Sequence, residues 1–224
     1  MHIFKSITAL FIREFQITYR NFTDILSILL FFLLGVIIFV FAIGPNKEIF
    51  DEINVSIIWT LILLSNALSI KKYFQDDFDD NSIVLFHISG ISYEIIVIIK
   101  IISIWIFIQI PFTLIIPLSY ILLNLDFNNI KIFYISFLIG SSIIACITSI
   151  SSSMNLLNKK NFAIGSLIIM IFSIPVIIFS VNLNYISEEI VTAQIKILIG
   201  IMFLFFAITP WVSAFCIKLG LQNK

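Results

Sequence analysis

Charged side chains concentrate in one stretch of this chain, residues 71–94, although charged residues make up only 12% of the sequence. These 24 residues include two lysines, four aspartates, one histidine and one glutamate. An Asp or Lys at the centre of a lipid bilayer costs about 2.5 to 3.5 kcal/mol, so all four aspartates are expected to reach water. They are Asp76, Asp77, Asp79 and Asp80. Carboxylates at this density can bind a soluble partner protein. Because such a contact would couple that partner to the rest of the chain, we call residues 71–94 the coupling segment.

The rest of the sequence carries no catalytic or metal-binding motif. HExxH, GxSxG and GxxxxGK[ST] do not occur, and the two histidines are His2 and His87. We therefore predict that the chain is not an enzyme, binds no metal and holds no cofactor directly. A lone histidine can ligate haem iron, but His87 is interpreted as an ordinary interfacial residue. Cys146 and Cys216 lie in apolar runs and are interpreted as buried.

Composition places the chain among membrane proteins. Its mean hydropathy is +1.14 and 60% of its residues are hydrophobic. A spanning helix needs about 20 apolar residues, so a chain of 224 residues has room for six spans and no separate soluble domain. The predicted fold is therefore an all-α polytopic membrane protein, with residues 1–224 forming a single transmembrane domain. A net charge of zero gives no reason to expect a nucleic-acid partner.

The apolar runs place the six predicted spans and a helix before them. The spans lie at about 25–43, 55–70, 95–123, 132–153, 163–181 and 197–216. Residues 3–20 are too charged to span, but their pattern predicts an amphipathic interfacial helix. Its polar stripe, facing lipid headgroups, would contain Lys5, Arg13, Gln16 and Arg20, and its apolar face Phe4, Ile7, Phe11 and Phe15. A solvated tail is the alternative.

Three features of the spans lead to more specific expectations. Lys100 lies near the start of the third span and is expected to snorkel to the membrane interface. Pro111 and Pro117 are expected to kink or break that helix. Small residues recur every fourth position in the fourth span, at Ser141, Ala145, Ser149 and Ser153, and predict a face for close helix packing rather than a pore.

The distribution of basic residues predicts the orientation. If the N-terminus is cytoplasmic, the inner segments hold ten of the 13 lysines and arginines, and the outer segments hold Lys47, Lys131 and Lys196. The positive-inside rule therefore favours cytoplasmic N- and C-termini and a cytoplasmic coupling segment. Within that segment, Asn81 or Ser82 can cap a short helix that Gly90 ends, although a solvated loop fits the pattern equally well.

In the order of these signals the sequence resembles the CcmB family, the permease subunit of the haem-exporter ABC system. The likeness rests on seven short groups of residues spread along the chain. They are Arg13-Glu14-Phe15 with Arg20, Gly44-Pro45, Trp59, residues 74–82, Lys100 with Trp105 and Pro111, residues 174–179, and Thr209-Pro210-Trp211 with Ala214. Asn81 stands where the family has a glycine, and Val84 where it tends to have a glutamate. Because asparagine tolerates left-handed backbone geometry, we expect the first departure to be mild.

The resemblance implies an ABC-2-type exporter permease of the cell inner membrane. Its function would be haem export, or release of a haem-loaded chaperone to the periplasm, in c-type cytochrome biogenesis. A separate cytoplasmic ATPase subunit would bind and hydrolyse ATP, with the permease present twice. The expected docking residues are Phe74, Asp76, Asp77, Asp79, Asp80, Asn81, Ser82 and Leu85. Further expected partners are a haem-handling membrane protein, a small single-span subunit and a periplasmic haem chaperone.

Two other functions fit the same pattern. An ABC-2-type permease that exports a lipid, polysaccharide or drug would share the topology and the coupling segment. A static membrane scaffold would share the topology but would not depend on ATP hydrolysis by a partner.

Overall fold

The computed structural model describes residues 2–44, 47–157, 163–186 and 188–223. In these residues the structure consists of helices joined by short turns, with no β-strand. The helices are α1 His2–Arg20, α2 Phe22–Ile43, α3 Lys47–Leu68, α4 Ile70–Asp79, α5 Ser82–Ile88, α6 Tyr93–Leu122, a 3-10 turn Phe127–Asn129, α7 Ile130–Asn155, α8 Ala163–Asn182 and α9 Glu188–Gln222.

Within the described residues, six segments are long and apolar enough to cross a membrane, and they confirm the predicted all-α polytopic fold. They are Phe22–Ile43, Glu52–Asp79, Tyr93–Leu122, Phe127–Asn155, Gly165–Asn182 and Ile190–Gln222. The last helix begins at Glu188, well before the predicted start of the sixth span at residue 197. Pro45 and the basic pair at residues 159 and 160 lie outside the described residues.

The second span continues almost directly into the coupling segment. Only Ser69 separates α3 from α4, and the backbone of Lys72 donates to the carbonyl oxygen of Ser69 at 3.0 Å. The predicted boundary near residue 70 is therefore a short turn between two helices. After this turn α4 packs against α7 and buries Tyr73, Phe74 and Phe78, so one of its faces is held against the membrane-spanning bundle.

Helix α7 lies at the centre of the bundle, where it packs against α4, α6, α8 and α9. The small residues Ser141, Ala145, Ser149 and Ser153 are all fully buried on it. Ser149 Oγ lies 3.4 Å from Ser213 Oγ of α9, and Trp105 Nε1 of α6 donates to Ser141 Oγ at 3.1 Å. Small side chains thus stand where neighbouring helices approach α7.

The prolines of α6 do not break it, because Tyr93–Leu122 is one helix of 30 residues. Proline has no N–H, so Pro117 cannot donate to the carbonyl oxygen of Thr113 four residues earlier. Tyr134 Oη of α7 donates to that carbonyl oxygen instead, at 2.9 Å. A side chain of the neighbouring helix therefore satisfies the backbone group that the proline leaves free, as required inside a membrane.

Gly140 of α7 allows a close approach to α3. A Cβ atom added there would lie 2.5 Å from Cη2 of the fully buried Trp59, whereas one added at Gly200 of α9 would meet nothing within 4 Å. We expect Gly140→Ala to destabilise the protein by about 1–3 kcal/mol, because the indole must shift in a packed core.

Gly200→Ala is the matched control, and we expect it to be neutral or stabilising by up to about 1 kcal/mol, since alanine favours a helix. The free energy of unfolding of both variants can be measured in mixed detergent micelles by titration with sodium dodecyl sulfate. Equal effects of the two substitutions would contradict the close packing of α7 against Trp59.

Candidate functional site

Helix α4 packs one face against the bundle and exposes the other. Ile70, Tyr73, Phe74 and Phe78, at helical spacing, are buried, and the same face contains Asp77. Asp76, Asp79 and Asp80 are exposed on the opposite side. The expectation that all four aspartates reach water is therefore wrong for Asp77, whose exposed fraction is 7%. The position of Asp77 on the apolar face directs its carboxylate inward.

Four charged residues form a closed ring of ion pairs around the Asp77 carboxylate, and we call it the ion-pair ring. Arg13 Nη2 donates to Asp77 Oδ1 at 2.8 Å, and Arg13 Nη1 donates to Glu14 Oε1 at 2.8 Å. Lys100 Nζ closes the ring, because it donates to Glu14 Oε2 at 3.1 Å and pairs with Asp77 Oδ2. Two anions and two cations alternate, so the ring is neutral and ties α1, α4 and α6 together.

Lys100 does not snorkel to the interface, contrary to expectation. Its side chain is 3% exposed, and the two carboxylates that it contacts are also buried. A buried ammonium group is tolerated when oppositely charged groups surround it. Lys100 therefore stays inside the bundle because Glu14 and Asp77 neutralise it there.

The predicted headgroup-facing stripe of α1 is wrong for Arg13. Its guanidinium turns toward the coupling segment, where it also lies 4.8 Å from the ring centroid of Phe86 and 3.5 Å from Ser82 Oγ. Burial on its own would lower the pKa of Arg13, but the hydrogen bond and charge of Asp77, with the charge of Glu14, raise it. Arg13 thus remains charged and connects α1 with both α4 and α5.

The short helix predicted within the coupling segment is confirmed as α5, Ser82–Ile88. Asn81 precedes it in the left-handed conformation, with φ of 59°, as its tolerance of that geometry predicted. Gly90 follows it with φ of 89°, a conformation that favours glycine. These two turns set the direction of α5, and its residue Ile83 is buried against the bundle.

The coupling segment keeps an exposed face, which we define as Asp76, Asp79, Asp80, Asn81, Leu85 and Ile88. Leu85 is 62% exposed and Ile88 is 75% exposed, one helical turn apart. Of the other expected docking residues, Ser82 is partly buried, and Phe74 and Asp77 are buried in the bundle. Those two residues cannot touch a partner directly and instead anchor the segment.

Sequence reasoning did not identify Glu14, Lys100 and Arg13 as a joint site with Asp77, or Ile88 as part of the exposed face. The available signal was the charge of Glu14 and Lys100 within apolar surroundings, since buried charges are nearly always paired.

His87, at the edge of the exposed face, has ordinary partners within its own segment. Its ring stacks on Tyr93 at a centroid distance of 4.2 Å, and its Nδ1 lies 3.2 Å from the carbonyl oxygen of Ile91. Among the residues that the structure describes, no group of three or more His, Cys, Asp or Glu residues could hold a metal ion. Cys146 and Cys216 are buried free thiols.

Comparison with known proteins gives one consistent result. A family model described as CcmB protein matches residues 5–220. The chain is 29% identical over 213 residues to heme exporter protein B of Haemophilus influenzae, covering 94% of this chain and 96% of that protein. It is 29% identical over 196 residues to heme exporter protein B of Rhodobacter capsulatus, with coverages of 87% and 90%. For heme exporter protein B of Bradyrhizobium diazoefficiens the identity is 25% over 223 residues, with coverages of 97% and 99%.

The stability of the ion-pair ring can be tested at Lys100. We expect Lys100→Met to destabilise the protein by about 3–5 kcal/mol, because it leaves two buried carboxylates with Arg13 as their one remaining cation in the ring. Adding Glu14→Gln should recover part of the loss, since it restores neutrality. The free energy of unfolding is measured in mixed detergent micelles.

Lys218→Met is the matched control for that substitution. Lys218 Nζ lies 3.6 Å from Glu94 Oε1, but its side chain is half-exposed, so its loss should cost no more than about 1 kcal/mol. If Lys100→Met were as mild as Lys218→Met, the ring would not be a buried, interdependent unit.

Proposed function

The chain belongs to the CcmB family, and on that basis we propose that it is the membrane permease subunit of an ABC transporter for haem export in c-type cytochrome biogenesis. The observation that carries this proposal is the family match over residues 5–220, which includes all four ring residues and the whole coupling segment. Relatives that share nearly the full length of the chain carry the name heme exporter protein B. The alternative cargo, a lipid, polysaccharide or drug, has no comparable support.

We propose that a separate cytoplasmic subunit hydrolyses ATP and docks on the exposed face of the coupling segment. The sequence has no GxxxxGK[ST] motif that could bind ATP phosphates. The exposed face combines three carboxylates with the apolar side chains of Leu85 and Ile88. Apolar contacts at the centre of an interface with charges at its rim are the usual anatomy of a protein–protein contact. A basic groove on the ATPase subunit would complement this face.

The contacts beneath that face support transmission of movement from the ATPase into the membrane. Phe74 and Phe78 are fully buried under α4, and Asp77 is held by Arg13 and Lys100. A displacement of α4 would therefore be passed to α1 through Arg13 and to α6 through Lys100. An ATP-driven push on the coupling segment would in this way change the packing of the third span. A static scaffold would have no need of such transmission.

The proposed location is the cell inner membrane, with both termini in the cytoplasm. The inner segments then hold ten of the 13 basic residues, in agreement with the positive-inside rule. Two copies of the permease would match two ATPase subunits. Haem would be the transported species, or would leave bound to a released periplasmic chaperone. A haem-handling membrane protein and a small single-span subunit would complete the complex.

Charge reversal on the exposed face tests the docking proposal. Asp76→Lys, Asp79→Lys and Asp80→Lys combined should abolish co-purification of the ATPase subunit and formation of holocytochrome c. The amount of permease in the membrane should be unchanged, because these three side chains are exposed. Affinity purification, haem staining of cytochrome c and immunoblotting of membranes provide the three measurements.

Two further variants separate docking from folding. Lys131→Glu reverses an exposed charge at the opposite end of the bundle and should leave the complex and cytochrome c intact. Asp77→Lys should instead lower the amount of permease itself, because it places a third cation in the buried ring. Normal cytochrome c and ATPase recovery in the triple aspartate variant would refute docking on this face.

A further inference from the structure

Two prolines divide helix α6 into parts that neighbouring helices hold differently. We call residues 93–110 the inner half, which contains Lys100 of the ion-pair ring, and residues 111–122 the outer half, which begins at Pro111 and also contains Pro117. Because proline has no N–H, each of them removes one backbone hydrogen bond of the helix. The carbonyl oxygens that lose their helical donor belong to Phe107 and Thr113.

Directional side-chain bonds hold the inner half to four other helices. Through the ion-pair ring, Lys100 binds α1 and α4. Gln109 Nε2 donates to Asn66 Oδ1 of α3 at 2.9 Å, and both side chains are buried. Trp105 Nε1 donates to Ser141 Oγ of α7 at 3.1 Å. Because hydrogen bonds depend on angle as well as on distance, these contacts leave the inner half little freedom to tilt.

The outer half is tied less firmly. Within the described part of the chain, one side chain of another helix binds its backbone, since Tyr134 Oη of α7 donates to the carbonyl oxygen of Thr113 at 2.9 Å. This is the carbonyl group that Pro117 deprives of its helical donor. Because lipid cannot replace a lost hydrogen-bond donor, the bond from Tyr134 stabilises the arrangement in which the outer half lies against α7.

Other contacts of the outer half are apolar. Phe112 packs edge-on against Phe32 of α2 with the ring centroids 5.2 Å apart, whereas Leu114 and Ile121 are 78% and 64% exposed. Apolar contacts are not directional, so they permit a change of angle that hydrogen bonds would resist. Sharp bends in helices occur mostly at proline. The outer half therefore has both a place to bend and the freedom to do so.

We propose that the two prolines form a hinge in α6 and that the Tyr134 hydroxyl is the latch that holds the outer half against α7. With the latch closed, α6 is the continuous helix described above. With the latch open, the outer half tilts away from α7 about Pro111 and Pro117, while the inner half stays in place. The use of this hinge during transport rests on the proposed function, in which a displacement of α4 reaches α6 through Lys100.

Spin-label distance measurements on the purified permease in lipid nanodiscs test the hinge. The two native cysteines are replaced by alanine. Labels at Ile121→Cys and Ile190→Cys then report the distance between α6 and α9 at the end where the outer half lies. Labels at Ile98→Cys and Phe215→Cys report the distance between the same two helices at the end of the coupling segment. All four positions are exposed, so the labels do not disturb the packing.

Removal of the latch should act on the outer pair of labels alone. We expect Tyr134→Phe to raise the population of a second, tilted distance by about three- to 20-fold, the range for one hydrogen bond between helices in a membrane. The inner pair should not change. Adding Pro117→Ala should restore the original distance, because the alanine N–H can donate to the carbonyl oxygen of Thr113. Tyr120→Phe is the matched control and should have no effect, since Tyr120 Oη makes no hydrogen bond.

Three results would overturn the hinge. They are an unchanged outer pair in Tyr134→Phe, an equal change in both pairs, and a failure of Pro117→Ala to restore the distance. A loosening of the whole bundle would change both pairs, so the second result separates a structural role of Tyr134 from a latch. Because neither the ATPase subunit nor haem is present in the experiment, its failure would refute the hinge and leave the proposed function standing.

Discussion

A charge inside a membrane protein must be neutralised where it lies, and this constraint organises the end of the structure that carries the coupling segment. Arg13, Glu14, Asp77 and Lys100 neutralise one another in a closed ring. Glu14, Asp77 and Lys100 are buried and Arg13 is partly exposed, so removal of one member leaves a buried charge without its partner, at a cost of several kcal/mol. The amphipathic helix α1, the coupling helix α4 and the third span α6 are therefore held as one unit, and the position of every exposed residue on α4 and α5 follows from that unit.

Because of the same constraint, the two faces of the ten-residue helix α4 have different roles. The inward face of α4 combines aromatic packing with a buried carboxylate, which fixes the helix on the bundle. The outward face retains carboxylates that a soluble protein can bind. The proposed docking of an ATPase subunit requires both properties, because a face that bound the subunit without being anchored would move without displacing the spans. Arg13 extends the anchoring to α5, since it contacts Phe86 and Ser82 as well as Asp77.

The sequence was sufficient to predict six spans, a short helix after Asn81 as one of two alternatives, and a tolerance of Asn81 for left-handed geometry, because each depends on local signals such as apolar length, turn residues and backbone tolerance. It did not predict that Ile70–Asp79 forms helix α4. It was not sufficient to predict which aspartate turns inward. The partners of the ring are separated by 64 and 86 residues, and only the packing of α1, α4 and α6 brings them together. Lys100 illustrates the difficulty, because snorkelling and internal pairing both satisfy an isolated lysine near a helix end.

The most direct test of the account is the accessibility of the coupling segment from each side of the membrane. A chain in which Cys146 and Cys216 are replaced by alanine and Leu85→Cys supplies the single thiol can be treated with a membrane-impermeant maleimide. The account predicts labelling in inverted membrane vesicles but not in intact spheroplasts, and reduced labelling when the ATPase subunit is co-expressed. Labelling in intact spheroplasts, or labelling unaffected by the ATPase subunit, would contradict it.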